Sequence, residues 1–138
     1  MHVRDDGDFR VLVVDDECTI ADTLALILNR SGFAARAAYS GDAAVMIAAE
    51  WRPMALISDV ILPGITGVEA ATAILRFLPE CRVILFSGHG TLDITQQVGK
   101  TSFEILPKPV HPVKLLQRLE ALRETPIVRA PQPEPDSA

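Results

Sequence analysis

Val11-Leu12-Val13-Val14-Asp15-Asp16 is the stretch on which the fold turns. An unbroken run of apolar, mostly β-branched residues, too short for a helix, reads as a strand buried on both faces, the kind a parallel sheet needs. It stops abruptly on paired carboxylates. Three further runs repeat the design: Met54-Ala55-Leu56-Ile57-Ser58 leads to Asp59, Val83-Ile84-Leu85-Phe86 leads to Ser87, and residues 103–106 lead through Pro107 to Lys108. In an open parallel sheet, ligands bind beyond the carboxyl ends of the strands. Three carboxylates, a hydroxyl and an ammonium are therefore expected to converge at one edge of one sheet.

The segments between these runs have helical spacing. Ile20, Ala21, Leu24, Ile27 and Leu28 form one apolar stripe that stops at Ser31-Gly32, a C-terminal signal. Residues 33–39 read as a strand, and Ser40-Gly41-Asp42 opens a second helix with Ala43, Ala44, Ile47 and Ala48 inward. A third helix is expected over 68–78, a short fourth over about 91–98, and a last one from Pro112, where proline suits a first turn, with Leu115, Leu116, Leu119 and Leu122 as its apolar face. Alternating strands and helices imply an α/β fold with a parallel sheet covered on both faces. The domain is expected over residues 9–124, between a loose polar start (1–8) and a Pro-rich, acidic, disordered tail (125–138).

At 138 residues the chain suits one domain with a real core. Its apolar share is 49% with few aromatics, and its net charge is −5 with no basic stripe, so a nucleic-acid surface is not indicated. No signal-peptide pattern opens the chain, and no apolar stretch approaches the ~18 residues of a membrane span, which points to a cytoplasmic protein. Cys18 and Cys81 stand in unlike contexts and form no metal-type cluster. Cys18 is expected as a small residue facing its helix's inner side.

Crowded carboxylates repel, so one pKa rises or a cation binds between them. With oxygen donors and no His or Cys, magnesium is the natural occupant. A cation beside Asp59 would neutralise an incoming phosphoryl group, Lys108 would add a compact positive charge, and the Ser87 hydroxyl and the N–H groups of Val60 and Gly88 could donate to phosphate oxygens. Each residue also has a plainer reading. Asp16 could be only a helix N-cap, and Ser87-Gly88 only a turn. It is the conjunction at four strand ends that favours chemistry.

These residues resemble the receiver domain of bacterial two-component response regulators, of the single-domain, CheY-like kind, over about residues 10–123. The match lies in Val-Val-Asp15-Asp16-Glu17, in Asp59 followed by Val-Ile-Leu-Pro63 and Gly67, in Ser87-Gly88, and in Lys108-Pro109. The resemblance implies a flavodoxin-like, doubly wound sheet of order 2-1-3-4-5 with five helices. It implies a phosphoryl group accepted on Asp59 from a histidine kinase, a phosphotransfer protein or a small phosphodonor. Magnesium would be held by Asp15, Asp16, Asp59 and the Ile61 carbonyl, and the bond between Lys108 and Pro109 would be cis.

The chain also departs from that family. The usual switch aromatic, three residues before the lysine, is Ile105 here, and Phe103 on the same strand face is the substitute weighed against plain core packing. Ile61 and His89 occupy the two positions that tune phosphoryl lifetime, and the apolar Ile61 predicts a long-lived adduct. The expected function is that of a stand-alone phosphoacceptor, not an enzyme with turnover, which signals to a protein target through its fourth-helix, fifth-strand and last-helix face. Whether it homodimerises is left open. A phosphorylation-independent adaptor is the alternative. An aspartyl-phosphate phosphatase is disfavoured, because the second residue after Asp59 is Ile61 rather than an acid.

Overall fold

The computed structural model describes residues 8–88 and 103–124. Five strands, β1 (Arg10–Val14), β2 (Ala34–Ala38), β3 (Ala55–Asp59), β4 (Arg82–Ser87) and β5 (Glu104–Pro107), form one parallel sheet in the order β2-β1-β3-β4-β5. Four helices are described: α1 (Cys18–Arg30), α2 (Gly41–Trp51), α3 (Gly67–Phe77) and α4 (Pro112–Glu124). The expected helix over 91–98, residues 1–7 and 125–138 of the two tails, and His89 lie outside the described residues.

Alternation along each strand divides the core into two layers, because successive side chains point to opposite faces. Leu12, Val14, Leu56, Val83 and Leu85 pack with Ala44 and Ala48 of α2 and with Val68, Ala71 and Ile74 of α3. Val11, Val13, Ala55, Ile57, Ile84, Phe86 and Leu106 pack with Ala21 and Leu28 of α1 and with Leu115 and Leu119 of α4. Fully burying a leucine such as Leu119 contributes roughly 2 kcal/mol, so this double-sided burial dominates the fold's stability.

Local signals set the helix ends. Ser40 caps α2, its hydroxyl accepting from the Ala43 N–H at 3.0 Å. α1 stops where Gly32 takes φ 98° and the Phe33 N–H returns to the Leu28 carbonyl at 3.0 Å. The expected stripe on α1 needs one correction, since Ile20 is 42% exposed. It borders an open groove of about 280 Å³ between α1 and the start of α4, and Ala25 takes the buried place instead.

The expected inward place of Cys18 is also overturned. As the first residue of α1 it is exposed, whereas Cys81 is buried, and burial pushes the Cys81 thiol up to about 12. Only thiolate reacts with alkylating reagents. Iodoacetamide at neutral pH is therefore expected to modify Cys18 and leave Cys81 unmodified until the protein is denatured. Peptide mapping checks this.

Candidate functional site

The strand order reverses between β1 and β3, and the carboxyl edge beside that point is where such sheets form a ligand crevice. β1 delivers Asp15 and Asp16 there, and β3 ends on Asp59 itself. Asp15 is buried and held on both sides. Its N–H donates to the Ala38 carbonyl at 3.1 Å, and its Oδ1 accepts from the Glu17 N–H at 2.9 Å. Asp16 is exposed, and the N-cap residue of α1 is Glu17, with no side-chain cap bond. The plainer reading of Asp16 as an N-cap is thus not realised.

One oxygen from each of Asp15, Asp16 and Asp59 lies within 4.8 Å of the others. Lys108, just after β5, sets its Nζ 2.8 Å from Asp59 Oδ1. Its backbone N–H donates to the Ser87 carbonyl at 2.8 Å, and Lys108-Pro109 is cis, as the resemblance implied. Ser87 ends β4 opposite Pro107, one step past the Asp59–Phe86 pair. Gly88 lies near Lys108, for a Cβ on it would stand 3.9 Å from Lys108 Cδ. The structure thus brings the two β1 carboxylates, Asp59 and the ammonium together, with Ser87 and Gly88 at the neighbouring strand end.

The electrostatics follow from burial. Asp59 is only 8% exposed, and burial raises its carboxyl above the ordinary value, with Lys108 opposing and the Asp15 charge adding to the rise. Burial acts to lower Lys108, but the hydrogen bond and charge of Asp59, with Asp15 and Asp16 behind it, hold it above the usual lysine value. The arrangement is one cation facing three acids. It has room, electrostatically, for a second positive charge.

Other expectations fare unevenly. The Val60 N–H does not await a phosphate, because it donates to the Phe86 carbonyl at 3.0 Å and extends the sheet by one rung. Ile61 is 62% exposed beside the site. Phe103 and Ile105 are half-buried, and both pack on the α2–α3 side of the sheet.

Sequence reasoning missed what holds the floor of the site. Thr66 and Glu69 form a reciprocal capping box, with the Thr66 hydroxyl accepting from the Glu69 N–H at 3.0 Å and Glu69 Oε1 accepting from the Thr66 N–H at 2.9 Å. The signal, Thr-x-x-Glu before an apolar run, was legible. The box starts α3 at Gly67, whose N–H donates to the Val60 carbonyl at 2.8 Å. Fully buried Ser58 donates to the Asp59 carbonyl at 2.8 Å, from the same side as Gly67.

The family model for the response regulator receiver domain matches residues 11–120. The chain is 32% identical over 118 residues to the nitrogen assimilation regulatory protein NtrX of Azorhizobium caulinodans, covering 83% of this chain and 26% of that protein. It is 28% identical over 112 residues to the DNA-binding response regulator MtrA of Mycobacterium tuberculosis, covering 81% of this chain and 49% of that one. It therefore spans half or less of these curated relatives. Among solved structures, the chemotaxis protein CheY4 of Vibrio cholerae superposes with a TM-score of 0.75 at 26% identity, over 83% of this chain and 98% of that one. The receiver fold of a two-component system, its acidic strand ends and these matches agree: the chain belongs to the response regulator receiver domain family.

Proposed function

We propose that in the cytoplasm this receiver accepts a phosphoryl group on Asp59 from a histidine kinase or phosphotransfer protein and passes the signal to a downstream protein. The observation that carries this is the buried Asp59 carboxylate, 2.8 Å from Lys108 and within the cluster of Asp15 and Asp16. Receiver domains bind magnesium at an acidic pocket. The all-oxygen donor set here, with burial and then the Asp15 charge raising Asp59, fits a hard divalent cation. Asp15, Asp16, Asp59 and the Ile61 carbonyl would hold it. When bound, the ion supplies positive charge against the phosphoryl oxygens.

The chain's own residues do the rest. An Asp59 carboxylate oxygen forms the new O–P bond while the donor's N–P or acyl O–P bond breaks, its electron pair leaving with the donor. Lys108 neutralises part of the charge that arrives. The Ser87 hydroxyl and the Gly88 N–H, at the neighbouring strand end, would donate to phosphoryl oxygens. Hydrolysis of the adduct is slow and there is no substrate turnover, so the module is a phosphoacceptor and not an enzyme.

Intact-protein mass after acetyl phosphate and magnesium tests this. Wild type is expected to gain one phosphoryl group, dependent on magnesium, and Asp59→Asn to gain none. An adduct that persists in Asp59→Asn would place the acceptor elsewhere. No adduct in either protein, with partner binding unchanged in the variant, would favour the adaptor reading, for which Ile105 at the switch position is the supporting observation.

Exposed Ile61 offers no polar group to orient an attacking water. Ile61→Asn is therefore expected to shorten the phosphoryl lifetime severalfold in a direct decay assay, and an equal or longer lifetime would refute that role.

A further inference from the structure

One edge of the sheet is β2, and its sequence, Ala-Ala-Arg-Ala-Ala, holds one charge and, among the described residues, no lysine, proline or bulge against pairing with another strand. Exposed edges are ordinarily blunted by lysine, proline, a bulge or a cover. The single charge, Arg36, lies with its guanidinium 4.7 Å over the Trp51 ring, drawn onto the sheet face and away from the edge.

Alternate residues of β2 face β1. The Ala34 N–H donates to the Phe9 carbonyl at 3.0 Å, and the Ala38 carbonyl accepts from the Asp15 N–H at 3.1 Å. Ala35 and Ala37 therefore turn their peptide groups outward. At Ala35 the outward groups are taken by one side chain. Asn29 Nδ2 donates to the Ala35 carbonyl at 3.1 Å, and Asn29 Oδ1 accepts from the Ala35 N–H at 2.8 Å. A carboxamide carries the same donor and acceptor as a peptide, so these are the two bonds a neighbouring strand would make. Asparagine is a poor helix former, and in the last turn of α1 a lysine or arginine would serve the helix better.

We propose that Asn29 acts as a surrogate strand that closes the β2 edge, and that the interface it blocks is two-fold, antiparallel β2–β2 pairing with a second copy of this chain. The edge suits that occupant. The same outward groups of Ala35 and Ala37 recur on both copies, as an isologous contact requires, and the alanines leave no side chain large enough to hold two edges apart. The plug sits one pair from the start of β2, at Val11–Ala35, while the carboxylates lie past Val14–Ala38. Opening the edge should leave phosphoryl acceptance unchanged.

Sedimentation equilibrium over a wide concentration range tests this, with far-UV circular dichroism to confirm folding. Wild type is expected at the mass of one chain and Asn29→Ala to rise toward two. Asn29→Ala combined with Ala37→Pro should return to one, since proline is tolerated in an edge strand where its missing N–H would face outward. If Asn29→Ala does not fold, Asn29→Leu, which keeps the size of the side chain and loses both the donor and the acceptor, is read in the same way. A folded Asn29 variant that stays at one chain throughout overturns the proposal. So does a dimer that survives Ala37→Pro, or a wild type already dimeric through this edge.

Discussion

Replacing Gly67 with alanine is expected to destabilise the domain by about 3 kcal/mol, despite a helix propensity that favours alanine by about 1 kcal/mol. A Cβ at this position would stand 2.0 Å from the Asp59 carbonyl oxygen, 3.0 Å from its carbon and 2.9 Å from Ser58 Oγ. None of these can retreat. Asp59 ends a strand buried along its whole length, and Ser58 is fully enclosed. Nor can α3 simply back away, because the Gly67 N–H is bonded to Val60 and the Thr66–Glu69 box fixes the first turn.

Against a typical total of about 5–15 kcal/mol, that loss is a large fraction of stability. The urea midpoint should fall markedly. The same clash displaces the Asp59 backbone, so phosphoryl acceptance should drop even under conditions where the variant remains folded. A variant with wild-type melting and acceptance would show that the start of α3 does not bear on β3.

Asp59→Asn is expected to be more stable than wild type at neutral pH in the presence of a chelator, with a higher thermal midpoint. The sign follows from the raised carboxyl. Burial first, and the Asp15 charge with it, lift the folded-state pKa of Asp59 above its unfolded value, against the opposing effect of Lys108. A raised group contributes stability that is complete below the unfolded pKa and is lost as pH rises through the folded one. Above the folded-state pKa that contribution is gone, and the buried charge is a cost that asparagine removes.

The advantage of Asn should therefore shrink as pH is lowered toward the ordinary carboxylate range. It should shrink again when magnesium is added, because a cation that binds the folded wild type stabilises it by mass action. Thermal melts at several pH values, with chelator or with magnesium, check both trends. A less stable Asp59→Asn in chelator would mean that the 2.8 Å contact with Lys108 outweighs burial and repulsion.

What could be read without coordinates was whatever depends on short-range pattern. Val11 to Val14 and Val83 to Phe86 read as buried strands because an apolar run of that length between turn signals has few other outcomes, and both are buried strands. Asp15, Asp16, Asp59 and Lys108 could be placed at one edge because parallel strands bring their carboxyl ends to the same side. The stop at Gly32 and the cap at Ser40 were legible for the same local reason.

The errors fell where a residue's fate depends on what packs against it. Ile20 has the spacing of a core residue, yet the groove beside the start of α4 leaves it uncovered. The Val60 N–H looked available until the register of β3 with β4 gave it the Phe86 carbonyl.

Sequence by itself determined the parallel sheet, its order through the family resemblance, and the acidic site at its carboxyl edge, because strand polarity and residue spacing are properties of the chain. Only the tertiary structure decided that Gly67 must be glycine, that Asp59 is the raised carboxylate, and that Asn29 closes the β2 edge. Each of these rests on the approach of segments separate in sequence, and close approach is set by packing.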